Sequence, residues 1–152
     1  MTADEIVRAA GIYAGTFAVG AISSVIPLIS IEVFLVAITL AHGTANAVPL
    51  IVLATVGQVL GKLPVYATTR GLAALPGPQR RWIERVRVWV ARFGNRPNLV
   101  LGTSALLGLP PFSIISTAAG ALAIPPRTFC AVIAVGRALR FTAIVAVAAL
   151  YG

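Results

Sequence analysis

Residues Ala21–Ala41 read AISSVIPLISIEVFLVAITLA, an apolar run broken near its start by Pro27 and carrying a single carboxylate, Glu32. An ionisable side chain inside such a run costs several kcal/mol, roughly 2.5–3.5 on insertion scales, so it marks a functional position by default. The proline removes a backbone donor and interrupts the helix just before the acid. Within a bilayer that break is tolerated only where other protein or a water-filled cavity satisfies the freed backbone groups. A broken helix beside a buried charge is a sequence pointer to a transport site.

The whole chain fits this setting. Its 152 residues are 59% hydrophobic and only 11% charged, with a mean hydropathy of +0.95. A soluble domain carries about 25% charged residues, so the sequence reads as an integral membrane protein. Asp4 and Glu5 stand where a signal peptide would have a basic region, and the start of the chain is expected to be retained. A lone Cys130 rules out an internal disulfide and reads as a small apolar filler.

The formal charge of +8 is concentrated. Seven of the twelve basic residues (Arg70, Arg80, Arg81, Arg85, Arg87, Arg92 and Arg96) fall between Arg70 and Asn98, against one acid, Glu84. By the positive-inside rule this loop is cytoplasmic. Its nearest polyanion is inner-leaflet phospholipid, not nucleic acid.

Residues 5–26 read as one helix, with Gly11 and Gly15 in GxxxG spacing for close helix contact and Gly20 on the same small-residue face. Ser30–Ala41 forms a second arm. Neither arm plainly reaches the ~20 residues of a comfortable span, so the pair reads as a re-entrant hairpin with Pro27 near its tip, or else as one kinked spanning helix. Val48–Thr69 is long enough to cross and carries Gly57, Gly61, Lys62 and Pro64. Leu75–Pro78 is a turn. Gln79–Phe93 is amphipathic, with Trp82, Val86, Trp89, Val90 and Phe93 on one side and Arg81, Arg85 and Arg92 on the other, as in a helix lying on the cytoplasmic leaflet. Leu99–Ile124, broken at Gly108–Pro111 and Gly120, reads as a second hairpin, and Thr128–Tyr151 spans.

The two halves match in order. Ile26–Ile31 and Leu109–Ile114 share a Pro-x-x-Ser-Ile pattern, and Val56-Gly57-Gln58-Val59-Leu60 aligns with Val135-Gly136-Arg137-Ala138-Leu139. The expected architecture is all-α and polytopic: two re-entrant hairpins and two spanning helices in an inverted repeat. The first repeat covers 5–70, the amphipathic linker 71–98 and the second repeat 99–152.

Within the apolar segments lie one acid, Glu32, and three bases, Lys62, Arg137 and Arg140. Glu32 is expected to pair with a base, which still leaves surplus positive charge. An anionic ligand would balance it, and arginine's planar fork suits phosphate oxygens. Glu32 is also a candidate for proton coupling. Against this stands a purely structural ion-pair network, with Lys62 and Arg140 snorkelling to an interface. Ser30 and Ser113, with Ser116 and Thr117, sit beside the breaks at Pro27 and Pro110, where hydroxyls either bind a head group or cap helix ends. One histidine, one cysteine and few acids supply neither a catalytic nor a metal constellation, and no cofactor or enzymatic activity is expected.

Pro27 followed by Glu32, the Gly57-x-x-x-Gly61 pair with Tyr66 and Arg70, Ala119-Gly120-Ala121, Pro125–Phe129 and Gly136–Phe141 together resemble the bacterial DedA/VTT (SNARE-associated) membrane proteins, especially their short YqaA-like branch. The resemblance covers roughly residues 15–145. It implies facing re-entrant hairpins in a bacterial cytoplasmic membrane and translocation of lipid: undecaprenyl phosphate in bacterial members, phospholipid in eukaryotic relatives. Glu32 corresponds to the family's acid after the first hairpin's proline. The chain departs from the family's pattern in having Lys62 after the second glycine, and Leu107–Ser113 in place of the arginine-bearing motif of the second hairpin. Arg137 and Arg140 then stand as the phosphate clamp. The alternatives are a small-ion carrier using Glu32 and a non-transporting assembly subunit held by its glycine faces. A homodimer would enlarge the small volume that two hairpins and two spans enclose.

Overall fold

A computed structural model of the chain describes residues 3–26, 28–74, 77, 79–92, 96–109 and 111–151. Pro27, Pro110, Phe93 and three residues of the expected 75–78 turn lie outside them. The described residues form seven helices and no strand: α1 (Ala3–Val25), α2 (Ile31–His42), α3 (Ala47–Ala74), α4 (Gln79–Ala91), α5 (Pro97–Leu107), α6 (Phe112–Ala121) and α7 (Pro126–Tyr151).

Two helices are long and apolar enough to cross a membrane: 25 residues of α3 (Ala47–Gly71) and all 26 of α7. At 1.5 Å per residue they rise roughly 37–39 Å, beyond the ~30 Å hydrocarbon core. Only 33% of the apolar window of α3 and 28% of that of α7 is buried. A helix that is apolar all round either lies in a core or spans a membrane, and so little burial favours the span. α2, α5 and α6 have 12, 11 and 10 residues and rise roughly 15–18 Å, about half the core thickness. α1 has 23 residues, close to the expected 5–26, and its apolar part is confined to Ala10–Val25.

The chain divides into two compact units, Met1–Gly61 with Phe141–Gly152, and Lys62–Arg140. In the first unit Ile31 and Leu35 of α2, Leu50 and Ala54 of α3, and Phe141 and Val145 of α7 form the buried core, with Ile12, Tyr13 and Val19 of α1 packed against it. Apolar surface gains little from leaving lipid tails, so helices associate in membranes through close van der Waals contact between small residues. The α1–α3 crossing shows this. A Cβ on Gly57 would lie 2.5 Å from Phe17 O and 3.0 Å from Ala21 N, and one on Gly20 would lie 2.9 Å from Ala54 O. The close contact is therefore made by Gly20 and by the Gly57/Gly61 pair. Gly11 and Gly15 do not make it: nothing lies within 4 Å of a Cβ on Gly11, and a Cβ on Gly15 would meet only Phe34, at 3.9 Å.

In the second unit α5 and α6 pack together and α4 lies against both. Ile83 and Val90, seven residues apart on one face of α4, are buried, whereas Trp82 is exposed. The sequence pattern had grouped Val90 with the tryptophans. Instead the helix is docked along Ile83 and Val90, with the indoles at the edge of that contact. α5 ends at Gly108, whose φ of +79° and amide bond to Ser104 O form a left-handed cap that glycine adopts without strain.

Gly57→Ala places a methyl group against backbone that has no side-chain freedom with which to yield. It is expected to cost about 1–3 kcal/mol, as overpacking does, while Gly11→Ala is neutral. Thermal unfolding in detergent, followed by size-exclusion chromatography, checks both.

Candidate functional site

The charged residues picked out in the sequence are held in distinct ways. In the first unit, Ser30 caps α2 by accepting a hydrogen bond from Val33 N, and its hydroxyl donates to Glu32 Oε2 at 2.9 Å. Glu32 lies in the first turn of α2 and is partly buried. The break at 26–30 creates that helix start, where orphan N–H groups and the helix dipole favour an anion. A carboxylate that is costly mid-helix is accommodated at this end.

Lys62 and Arg137, on α3 and α7 of the second unit, come together on one aromatic ring. Phe112, the first residue of α6, has the Arg137 guanidinium 4.0 Å from its centroid and the Lys62 ammonium 5.5 Å away. Both cations are buried, at 4% exposure for Lys62 and 8% for Arg137. The snorkelling expected as an alternative for Lys62 is therefore not its conformation. The negative face of an aromatic ring attracts a cation by up to about 2 kcal/mol when the pair is desolvated. It adds no formal negative charge.

Arg140 lies one turn beyond Arg137. Its Nη1 donates to Leu106 O at 3.2 Å, one of the carbonyls left without a partner at the end of α5. The same nitrogen would lie 3.1 Å from a Cβ on Gly108. The α5–α6 break therefore places a cation at the negative end of a helix dipole. Gly102 faces Val132, Gly136 meets Ala105 and Arg140 reaches Leu106, so α5 and α7 run in the same direction. Between them lies an open groove of about 520 Å³ with almost wholly apolar walls, including Leu99, Gly102, Leu106, Val135 and Leu139. The groove ends at the turn that carries Arg140.

Ser113 is exposed, and its carbonyl accepts bonds from the hydroxyls of Ser116 and Thr117 at 3.2 and 2.7 Å. These hydroxyls satisfy the local backbone. Arg70, counted in the basic loop, also has a structural role: its Nη1 donates to Tyr66 Oη at 2.7 Å and to Ile124 O at 3.1 Å. Tyr66 donates to the same carbonyl at 2.6 Å and stacks on Phe129. The residue that sequence reasoning missed is Phe112. Its only signal is its position directly after Pro110-Pro111, where a helix start fixes the ring.

Phe112→Leu keeps apolar volume but removes the ring face. The expected loss is about 1–2 kcal/mol of stability, read as a lower unfolding midpoint in detergent. Tyr66→Phe leaves Arg70 as the remaining donor to Ile124 O and is expected to cost about 1 kcal/mol.

Comparison with curated proteins and with solved structures gave no match. The VTT domain family model matches residues 6–150, nearly the whole chain. The match identifies the family and not a branch within it. Two apolar helices of spanning length, helix ends on either side of both expected hairpin turns and this match lead to one assignment: the chain belongs to the VTT domain family, the domain of the DedA/SNARE-associated membrane proteins.

Proposed function

We propose that this protein translocates an anionic lipid, a polyprenyl phosphate or a phospholipid, across a bacterial cytoplasmic membrane that it crosses more than once. The observation that carries this reading is the gathering of Lys62 and Arg137 on Phe112, with Arg140 one turn away at the end of an apolar groove. Three cations in apolar segments against one acid, Glu32, leave a surplus of positive charge even if Glu32 neutralises one of them. A phosphate-bearing amphiphile would bring negative charge to the arginines and an apolar chain to the groove. The short apolar stretches of α1 and α2 and the short helices α5 and α6, each pair separated by a break, support the two re-entrant hairpins and the inverted repeat. Glu32 would then act as the acid gate, with proton exchange as its coupling.

A small-ion carrier is the second reading. Thr55 Oγ1 and Gln58 Oε1, buried within α3, have no hydrogen-bond partner among the described residues, and polar atoms in that state suit a water or an ion.

Flip-flop of a head-labelled phosphate lipid in proteoliposomes separates the two. Wild type is expected to accelerate it, and Arg140→Gln to slow it about tenfold or more, since a hydrogen bond to a charged group is worth about 1.5–3 kcal/mol. Arg137→Lys should retain more activity than Arg137→Gln, and Glu32→Gln should stall turnover in folded protein. Rates no faster than empty liposomes, together with a change in internal pH on adding salt, would reject lipid translocation in favour of the ion carrier.

A further inference from the structure

The basic helix α4 does more than carry positive charge. Its docking on Ile83 and Val90 fixes its rotation about its own axis, and that rotation opens a groove between α4 and α6. Arg81, Arg85 and Arg92 line the groove, together with Trp82, Trp89 and the exposed Ile114 of α6, and its volume is about 810 Å³. Glu84 is the one carboxylate in the lining. No ion pair among the described residues holds any of the three arginines. Trp82 and Trp89 are the chain's only tryptophans.

We propose that this groove binds the head group of an anionic phospholipid from the surrounding bilayer. The inference is independent of what the protein transports. Three guanidinium groups to one carboxylate select a polyanion, and their planar forks match phosphate oxygens. Charge alone would suit a soluble polyanion equally well, but the rest of the lining does not. Ile114 and the two indoles offer apolar surface that nucleic acid or an acidic peptide would leave exposed, whereas a phospholipid covers it with glycerol and the first acyl carbons. Indole rings also favour the head-group level of a bilayer. The position agrees: the apolar span of α3 ends at Gly71 and α4 starts at Gln79, so α4 lies within a short connection of the membrane boundary. The sequence pattern implies a helix resting on lipid in general. The docked helix instead presents a defined cleft, and with it a preference among lipids.

The two tryptophans report on the groove directly. The full chain is placed in nanodiscs of zwitterionic phospholipid, and brominated phosphatidylglycerol or brominated phosphatidylcholine is added while tryptophan emission is followed. The anionic lipid is expected to reach half-maximal quenching at about a tenfold lower mole fraction than the zwitterionic one, a preference of about 1.4 kcal/mol. The triple variant Arg81→Gln/Arg85→Gln/Arg92→Gln should lose that difference. The triple variant Arg80→Gln/Arg87→Gln/Arg96→Gln, equal in charge but outside the groove, should keep it. All six side chains are exposed, so neither variant disturbs packing, and a monodisperse elution profile verifies the fold. Equal quenching by the two lipids in wild type would show tryptophans that are merely interfacial and would overturn the site. Equal losses in both triple variants would reduce it to general surface charge. Absence of quenching by either lipid would mean that the groove faces water or another protein, and would also overturn it.

Discussion

A charge in an apolar segment must be compensated where it stands, because no water is at hand to solvate it. This chain meets that constraint by breaking its helices. Each break creates helix ends, and a helix end carries half a unit of charge and unpaired backbone groups. Glu32 occupies the start of α2, where N–H groups point outward, and Arg140 reaches the end of α5, where carbonyls do. The two charges of opposite sign are assigned to helix ends of the matching opposite sign. The interruptions therefore make the charged residues tolerable.

Lys62 and Arg137 are accommodated differently. Both lie inside long helices, away from any terminus, and both use the face of Phe112. The ring offsets part of the desolvation cost. The alternative is a structural ion-pair network with Lys62 and Arg140 snorkelling. Arg140 satisfies a carbonyl at the end of α5, while Lys62 is buried against Phe112 and does not snorkel.

Much of this was legible in the sequence, because charge, proline and long apolar runs are local signals. The helix limits followed from them, as did the four charged positions in the apolar segments and the basic amphipathic helix. Packing partners were less legible. GxxxG spacing singled out Gly11 and Gly15, yet the crossing uses Gly20, since a spacing rule cannot tell which turn of a helix its neighbour meets. Arg70 looked like one more cytoplasmic charge, but its partner is Ile124 O, a carbonyl 54 residues away that any residue type would present. Phe112 was hidden for the same reason: nothing distinguishes one phenylalanine in an apolar helix from another until two cations are seen to converge on it.

The internal likeness of the two halves reaches beyond the short matching motifs. In the first unit Gly57 lets α3 cross the α1 backbone at Phe17–Ala21, and in the second Gly136 lets α7 cross α5 at Ala105. Each crossing lies shortly before the break that follows the first helix of its pair, so equivalent glycines serve equivalent contacts. The residue after each glycine differs in kind. Gln58 donates to Ser23 Oγ at 2.9 Å, whereas Arg137 lies on Phe112. A neutral amide is met by a serine hydroxyl, whereas the guanidinium at the corresponding place lies against an aromatic face. The glycine contacts are alike in the two units, while the side chains beside them differ in charge. That asymmetry, more than the breaks themselves, marks the Arg137 side as the part of the protein where the two halves differ in charge.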